Sequence, residues 1–172
     1  MSKRYACALV ALALLSAGCR FNDLAFRIDE RIDIVAPEDR AEVTLPFELR
    51  WTVEDFEVTG PDGQARRDAG YFAVLLDESP MPPGEGPDYV ARDDESCLRT
   101  EGCPDETYLT DRGIHLTQET TFTVDALRDM RPVDRPSASD NHTITIVLVN
   151  GKSERIGESA RSVDITVNRE QL

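Results

Sequence analysis

The chain has 172 residues, with 33 Asp and Glu against 19 Lys and Arg, and its formal net charge is −14. A protein this acidic repels the phosphates of nucleic acids, so the composition excludes the usual basic type of nucleic-acid-binding protein. The length is sufficient for one domain with its own hydrophobic core.

The first 19 residues have the order of a secretory signal. Lys3 and Arg4 form a positively charged start, and residues 6–17 are apolar or small. This run is too short for a transmembrane helix, which needs about 20 apolar residues. Small residues directly precede Cys19, and this arrangement resembles the lipobox of bacterial lipoprotein precursors. The resemblance implies that the signal is cleaved between Gly18 and Cys19 and that the Cys19 thiol carries lipid.

The lipobox resemblance also implies a location. Residues 1–18 are then the signal peptide, and residues 19–30 are the lipidated cysteine and a tether to the membrane of the cell envelope. Position 20 is Arg rather than the Asp that retains lipoproteins at the inner membrane. This implies the outer membrane in a bacterium with two membranes, with the domain facing the periplasm or the outside. The alternative is an ordinary secretory signal cut near Gly18, which leaves a free thiol.

Cleavage makes the chain still more acidic. It removes Lys3 and Arg4, so the charge falls by two from −14 to −16. We therefore expect the mature domain to be repelled by anionic lipid headgroups and to stand away from the membrane on its tether. No other segment of the sequence is apolar enough to cross a membrane.

Two cysteines, Cys97 and Cys103, remain once the signal and the lipidated residue are set aside. An even pair in an oxidising compartment favours a disulfide. By the chain-entropy relation, closing a ring this small stabilises the fold by about 2–2.5 kcal/mol. The alternative is a metal site that uses both thiols with His115 or His142. The sequence lacks the paired C-x-x-C spacing that is typical of such a site, so we predict the disulfide and no bound metal or cofactor.

Residues 31–168 show the alternation of apolar and polar side chains that is typical of half-buried β-strands. The clearest case lies between Leu45 and Val53, where every second residue is a large apolar one. Residues 71–76 are apolar on both faces, which is typical of a central strand. We find no second core and no long helical pattern. Strands are predicted at 32–36, 45–53, 71–76, 121–127, 142–149 and 161–168, with a short one at 107–110.

Short strands separated by turn signals predict an all-β fold, an antiparallel β-sandwich over residues 31–168 followed by a C-terminal tail at 169–172. Leu49-Arg50-Trp51 resembles the tryptophan motif in the second strand of fibronectin type III domains. The stretches 121–127 and 142–151 are similar to later strands and turns of that family and of immunoglobulin-like domains. His142 stands where the family has a tyrosine. The resemblance implies the fold and no chemistry.

The longest departure from the family is a polar insertion, residues 78–119, which contains the cysteine pair. Loops this long in a compact domain are usually functional or disordered, and a disulfide argues against complete disorder. Tyr89, Leu98, Arg99 and Tyr108 are candidate partner contacts, because large aromatic, aliphatic and guanidinium side chains supply contact area. The alternative is an insertion without a function of its own.

The sequence contains no recognisable catalytic arrangement. His115 is predicted to lie in a loop and His142 at the start of a strand, where it makes a hydrogen bond, and no nucleophile motif accompanies them. Acidic clusters at 54–55, 93–95 and 105–106 lack the spacing of a calcium loop. We therefore predict a non-catalytic binding or structural module whose partner is an envelope protein or polysaccharide. The alternatives are a metal- or calcium-dependent adhesion module and an envelope enzyme.

Overall fold

A computed structural model of the chain describes residues 30–127, 140–157 and 160–168. The predicted signal peptide, Cys19, the tether up to residue 29 and the tail at 169–172 lie outside the described residues. The elements are mostly β-strands, as the sequence predicts. They are β1 (Ile32–Ala36), β2 (Ala41–Val43), β3 (Phe47–Val53), β4 (Glu57–Val58), β5 (Ala69–Leu76), α1 (Pro87–Val90), α2 (Glu95–Leu98), α3 (Glu106–Thr110), β6 (Ile114–Thr117), β7 (Thr121–Val124), β8 (Asp140–Val149) and β9 (Arg161–Val167).

The strands form two sheets. The smaller has the order β1-β3-β7, and the larger has the order β2-β9-β8-β5-β4, with β6 also paired to β5. The long neighbours β5, β8 and β9 pair antiparallel, as do the strands of the smaller sheet. Two short edge strands differ from the predicted antiparallel arrangement, since β2 runs parallel to β9 and β4 runs parallel to β5. The larger sheet is therefore mixed.

The main core lies between the two sheets. The alternation predicted around Trp51 is confirmed, because Leu49 and Trp51 are 0% and 3% exposed while their neighbours on β3 face solvent. The Trp51 ring meets the ring of Phe72 on β5 edge-on, with 5.3 Å between centroids. Both sheets contribute to this cluster, so burial of apolar surface joins the two layers.

The outer face of the larger sheet carries a second apolar cluster, which corrects the prediction of a single core. All eight residues of β5 are buried, and Tyr71, Ala73 and Leu75 point away from the first core. The insertion covers them with Met81, Leu109 and Ile114. The apolar character of both faces of β5 is thus explained by a cover on each side, one from the smaller sheet and one from the insertion.

The segment predicted as a short strand at 107–110 is helical, because its start is capped. The Asp105 carboxylate accepts a hydrogen bond from the backbone N–H of Tyr108 (2.8 Å), as an N-cap residue does. The helix α3 turns Leu109 inward, where it is 4% exposed. Local capping therefore outweighs the β-propensity of the threonines that flank Tyr108 and Leu109.

Candidate functional site

The insertion is held together by the predicted disulfide. Cys97 and Cys103 are bonded, with 5.3 Å between their Cα atoms, and Cys97 is 3% exposed on α2. Gly102 has φ +81, a left-handed conformation that glycine adopts without strain and that lets the ring close. Because both thiols are used in this bond, the alternative metal site with His115 or His142 is excluded.

Asp94 connects the helices of the insertion. One of its carboxylate oxygens caps α2 by accepting from the N–H groups of Ser96 and Cys97, each at 3.1 Å. The other accepts from the Tyr108 hydroxyl at 3.2 Å and from the Arg112 guanidinium at 3.3 Å. The pKa of Asp94 is lowered, chiefly by the hydrogen bond from the Cys97 N–H and further by Tyr108 and Arg112. A single carboxylate thus joins the stapled turn to α3.

Two arginines stack on the two tyrosines of the insertion. The Arg92 guanidinium lies 4.0 Å from the centroid of the Tyr89 ring, and that of Arg112 lies 3.5 Å from the centroid of the Tyr108 ring. The stacking is of the cation–π type. A cleft of about 460 Å³ opens beside them, with Arg92, Arg112 and Met81 in its wall. The i, i+3 and i, i+4 spacings of these pairs suit a helical turn, and they are the signal in the sequence from which the two stacks could have been predicted.

The structure separates the four candidate contact residues into two pairs. Tyr89 and Tyr108 are half-buried and pack against the second apolar cluster, so they support the insertion. Leu98 and Arg99 follow the buried Cys97 and face solvent. The exposure of Leu98 is 56%, and the Arg99 side chain is 74% exposed beside Glu95 at 3.4 Å. Of the four candidates, only Leu98 and Arg99 are therefore exposed to solvent.

We expect the stabilising effect of Asp94 to depend on pH in the acid range. Its pKa is lower in the folded chain than the value of about 3.9 for an unfolded chain, so its contribution is present above the unfolded pKa and is lost as the pH falls through the folded one. The Asp94→Ala variant should have a lower urea midpoint than the wild type near neutral pH. This difference should shrink in acid.

The neighbouring residue Asp93 provides the control for this measurement. Its side chain is 86% exposed and meets only Arg92, at 3.3 Å, among the described residues. The Asp93→Ala variant should therefore keep the wild-type midpoint near neutral pH. Equal midpoints for the two alanine variants would show that Asp94 does not connect the helices.

A buried histidine, His142, pairs with the exposed residue Asp77 at the end of the larger sheet. His142 is 7% exposed, and its Nδ1 lies 2.6 Å from Oδ2 of Asp77, the residue after β5. The other oxygen of Asp77 accepts from the N–H of Thr143 at 2.9 Å. The hydrogen bond predicted for His142 is confirmed. The pair ties β5 to β8. In the described part of the chain, the Nε2 atom of His142 has no hydrogen-bond partner, so the pair is not extended to a hydroxyl or a thiol.

The other histidine, His115, lies in a strand rather than the predicted loop. It belongs to β6, pairs with Val74 of β5, and lies against Phe122 with 4.8 Å between ring centroids. Burial lowers the pKa of His115. The sequence did not show this strand because β6 is only four residues long and adjoins polar segments.

The acidic clusters do not assemble into a metal site in the described ranges. Nowhere in residues 30–127, 140–157 and 160–168 do three or more His, Cys, Asp or Glu side chains converge on a point that could hold an ion. The helices of the same ranges are also too short and too polar to cross a membrane. The acidic clusters at 54–55, 93–95 and 105–106 therefore supply no such set of ligands within these ranges.

Comparison with known proteins adds no family to this description. No family model matches the chain, and no curated protein or solved structure shows significant similarity to it.

Proposed function

We propose that the chain is a lipid-anchored protein of the cell envelope and that it acts as a non-catalytic binding module. The order of the signal residues and Cys19 supports the anchor. Several acyl chains, each buried CH₂ contributing about 0.8 kcal/mol, hold a protein at a membrane without a transmembrane helix. The outer membrane is the proposed location, since position 20 is not Asp.

The proposed domain type is a fibronectin type III or immunoglobulin-like sandwich. In the immunoglobulin arrangement the first, second and fifth strands share one sheet, and the third, sixth and seventh share the other. The pairing β1-β3-β7 and the neighbouring strands β5, β8 and β9 follow this order when β2, β4 and β6 are counted as additional edge strands and the fourth strand of the arrangement has no counterpart among the described residues. His142 occupies the position of the family tyrosine and bonds to Asp77 instead.

The observation that carries the binding proposal is the exposure of Leu98 beside the buried Cys97 of the disulfide. The rest of the insertion packs its apolar residues against β5 and β8, whereas Leu98 stays 56% exposed. The disulfide and the Asp94 cap fix the turn before any partner arrives, and a preorganised contact loses less conformational entropy on binding. Leu98 and Arg99 are thus suited to contact an envelope protein or polysaccharide.

Site-specific photocrosslinking in native membranes tests this proposal. A photoreactive phenylalanine analogue is placed at Leu98 and, as a control, at Val35, an apolar residue of β1 that is 48% exposed. We expect a discrete adduct from position 98 that is weakened by Arg99→Ala, and no such adduct from position 35. Identical products from both positions, or none from position 98, would contradict the proposal.

A further inference from the structure

Four arginines line one groove of this acidic chain. The groove has a volume of about 700 Å³, and among the described residues its lining includes Arg31, Arg66, Arg67 and Arg155 but no Asp or Glu. The net charge of the whole chain is −14. A concave surface lined by one sign of charge concentrates the electrostatic field within it. Among the described residues, the arginine groove therefore gathers cationic side chains on an otherwise acidic chain.

The fold brings these arginines together from three distant segments. Arg31 lies at the start of β1, and its Nη1 donates to the carbonyl of Arg67 at 2.8 Å. The connection between β4 and β5 is also bonded to the turn after β8, because the Gly63 N–H donates to the Gly151 carbonyl at 2.8 Å. Arg155 follows that turn, is 7% exposed, and donates to the carbonyl of Met81. The groove is thus built into the fold.

The arginines have different roles in the groove. Arg66 pairs with Asp62 at 2.7 Å and with Glu57 at 3.4 Å, so its charge is already balanced and it serves to hold the connection. The exposed Arg67 side chain has no ion-pair or hydrogen-bond partner in the part of the chain that the structure describes. Guanidinium groups bind phosphate through paired, charge-assisted hydrogen bonds. Phosphate is therefore the ligand chemistry that Arg67 and its neighbours fit.

We propose that the arginine groove binds the phosphate groups of anionic lipids at the membrane to which the protein is tethered. The choice of membrane lipid depends on the proposed lipidation of Cys19. The eleven residues between Cys19 and Arg31 reach at most about 40 Å, and they enter the domain at the groove itself. Anionic headgroups lie within that distance. At the groove, the arginines attract anionic headgroups, whereas the net charge of the whole chain predicts that such headgroups are repelled.

Hydrogen exchange tests the proposal on the full chain. Exchange of the backbone amides in residues 59–68 and 150–157 is measured with vesicles of phosphatidylcholine alone and of phosphatidylcholine with phosphatidylglycerol. We expect slower exchange only with phosphatidylglycerol, and we expect high salt to remove the effect. The Arg67→Gln variant should bind about fivefold more weakly, which is the usual effect of one cation at an anionic surface.

Arg50→Gln is the matched control, since Arg50 is an exposed arginine of β3 that pairs with Glu48 at 3.3 Å and lies outside the groove. It should behave as the wild type does. Equal exchange in the two kinds of vesicle, or an equal loss in both variants, would overturn the proposal. The same protection by inorganic phosphate would assign the groove to a free anion and overturn the membrane assignment. None of these readouts requires a lipid on Cys19, so failure of the groove and failure of the anchor are distinguishable.

Discussion

Replacement of Cys19 by serine is expected to abolish fatty-acid incorporation into this protein completely. In the proposed processing, the first lipid is attached to the thiol of Cys19, and the later acyl chain needs the amino group that cleavage after Gly18 exposes. Without the thiol, the first lipid has no acceptor, and the proposed processing stops before the amino group is exposed. The measurement is metabolic labelling with an alkyne analogue of palmitate in cells that express the full chain, followed by detection of the labelled protein on a gel.

Cys7→Ser is the matched control for this labelling. Cys7 lies within the apolar run of the signal, where serine is tolerated as a small residue, and it is removed with residues 1–18. The variant should incorporate the label as the wild type does. A Cys19→Ser protein that keeps its label would contradict the anchor, as would a wild-type protein that never acquires it.

Leu109→Ala is expected to cost about 2–5 kcal/mol in the free energy of unfolding, the range for truncating a buried leucine. Leu109 belongs to α3 of the insertion, is 4% exposed, and packs in the cluster on the outer face of the larger sheet. The lost methyl groups leave a cavity that β5 and β8 cannot fill, because both are fixed by their own pairing. Urea unfolding should give a lower midpoint with an unchanged slope.

Leu98→Ala is the control, since Leu98 lies in the same insertion and is 56% exposed. An exposed substitution of this kind usually changes stability by less than about 0.5 kcal/mol. A small effect at both positions would show that the insertion does not cover the outer face of the sheet. A large effect at Leu109 alone would show that the insertion is part of the folded domain and that Leu98 contributes little to its packing.

The strands could be predicted where local pattern and burial agree. The alternation around Leu49 and Trp51 placed both residues in the core, and the apolar run at 71–76 correctly indicated a central strand. The disulfide could be predicted because both the cysteine count and the expectation of an oxidising compartment are taken from the sequence. The two strands and the disulfide could thus be predicted from short stretches of the sequence, without knowledge of which distant residues meet.

The second cluster and the groove could not be predicted, because their residues are far apart in the chain. Met81, Leu109 and Ile114 are separated by polar segments with no common period, so nothing indicated that they share one surface. The Asp77–His142 pair joins residues 65 positions apart. The arginines of the groove come from three segments that meet only through the loops at one end of the sheets. The second cluster, the Asp77–His142 pair and the groove therefore form only when distant parts of the chain come together.

The mass of the mature protein purified from the outer membrane decides whether the chain is anchored by lipid on Cys19. The account predicts a chain that begins at Cys19, lacks residues 1–18, and carries a thioether-linked diacylglyceryl group with an amide-linked acyl chain. It also predicts that Cys97 and Cys103 remain bonded. An uncleaved chain of 172 residues, or a cleaved chain with a free thiol at Cys19, would contradict the lipid anchor.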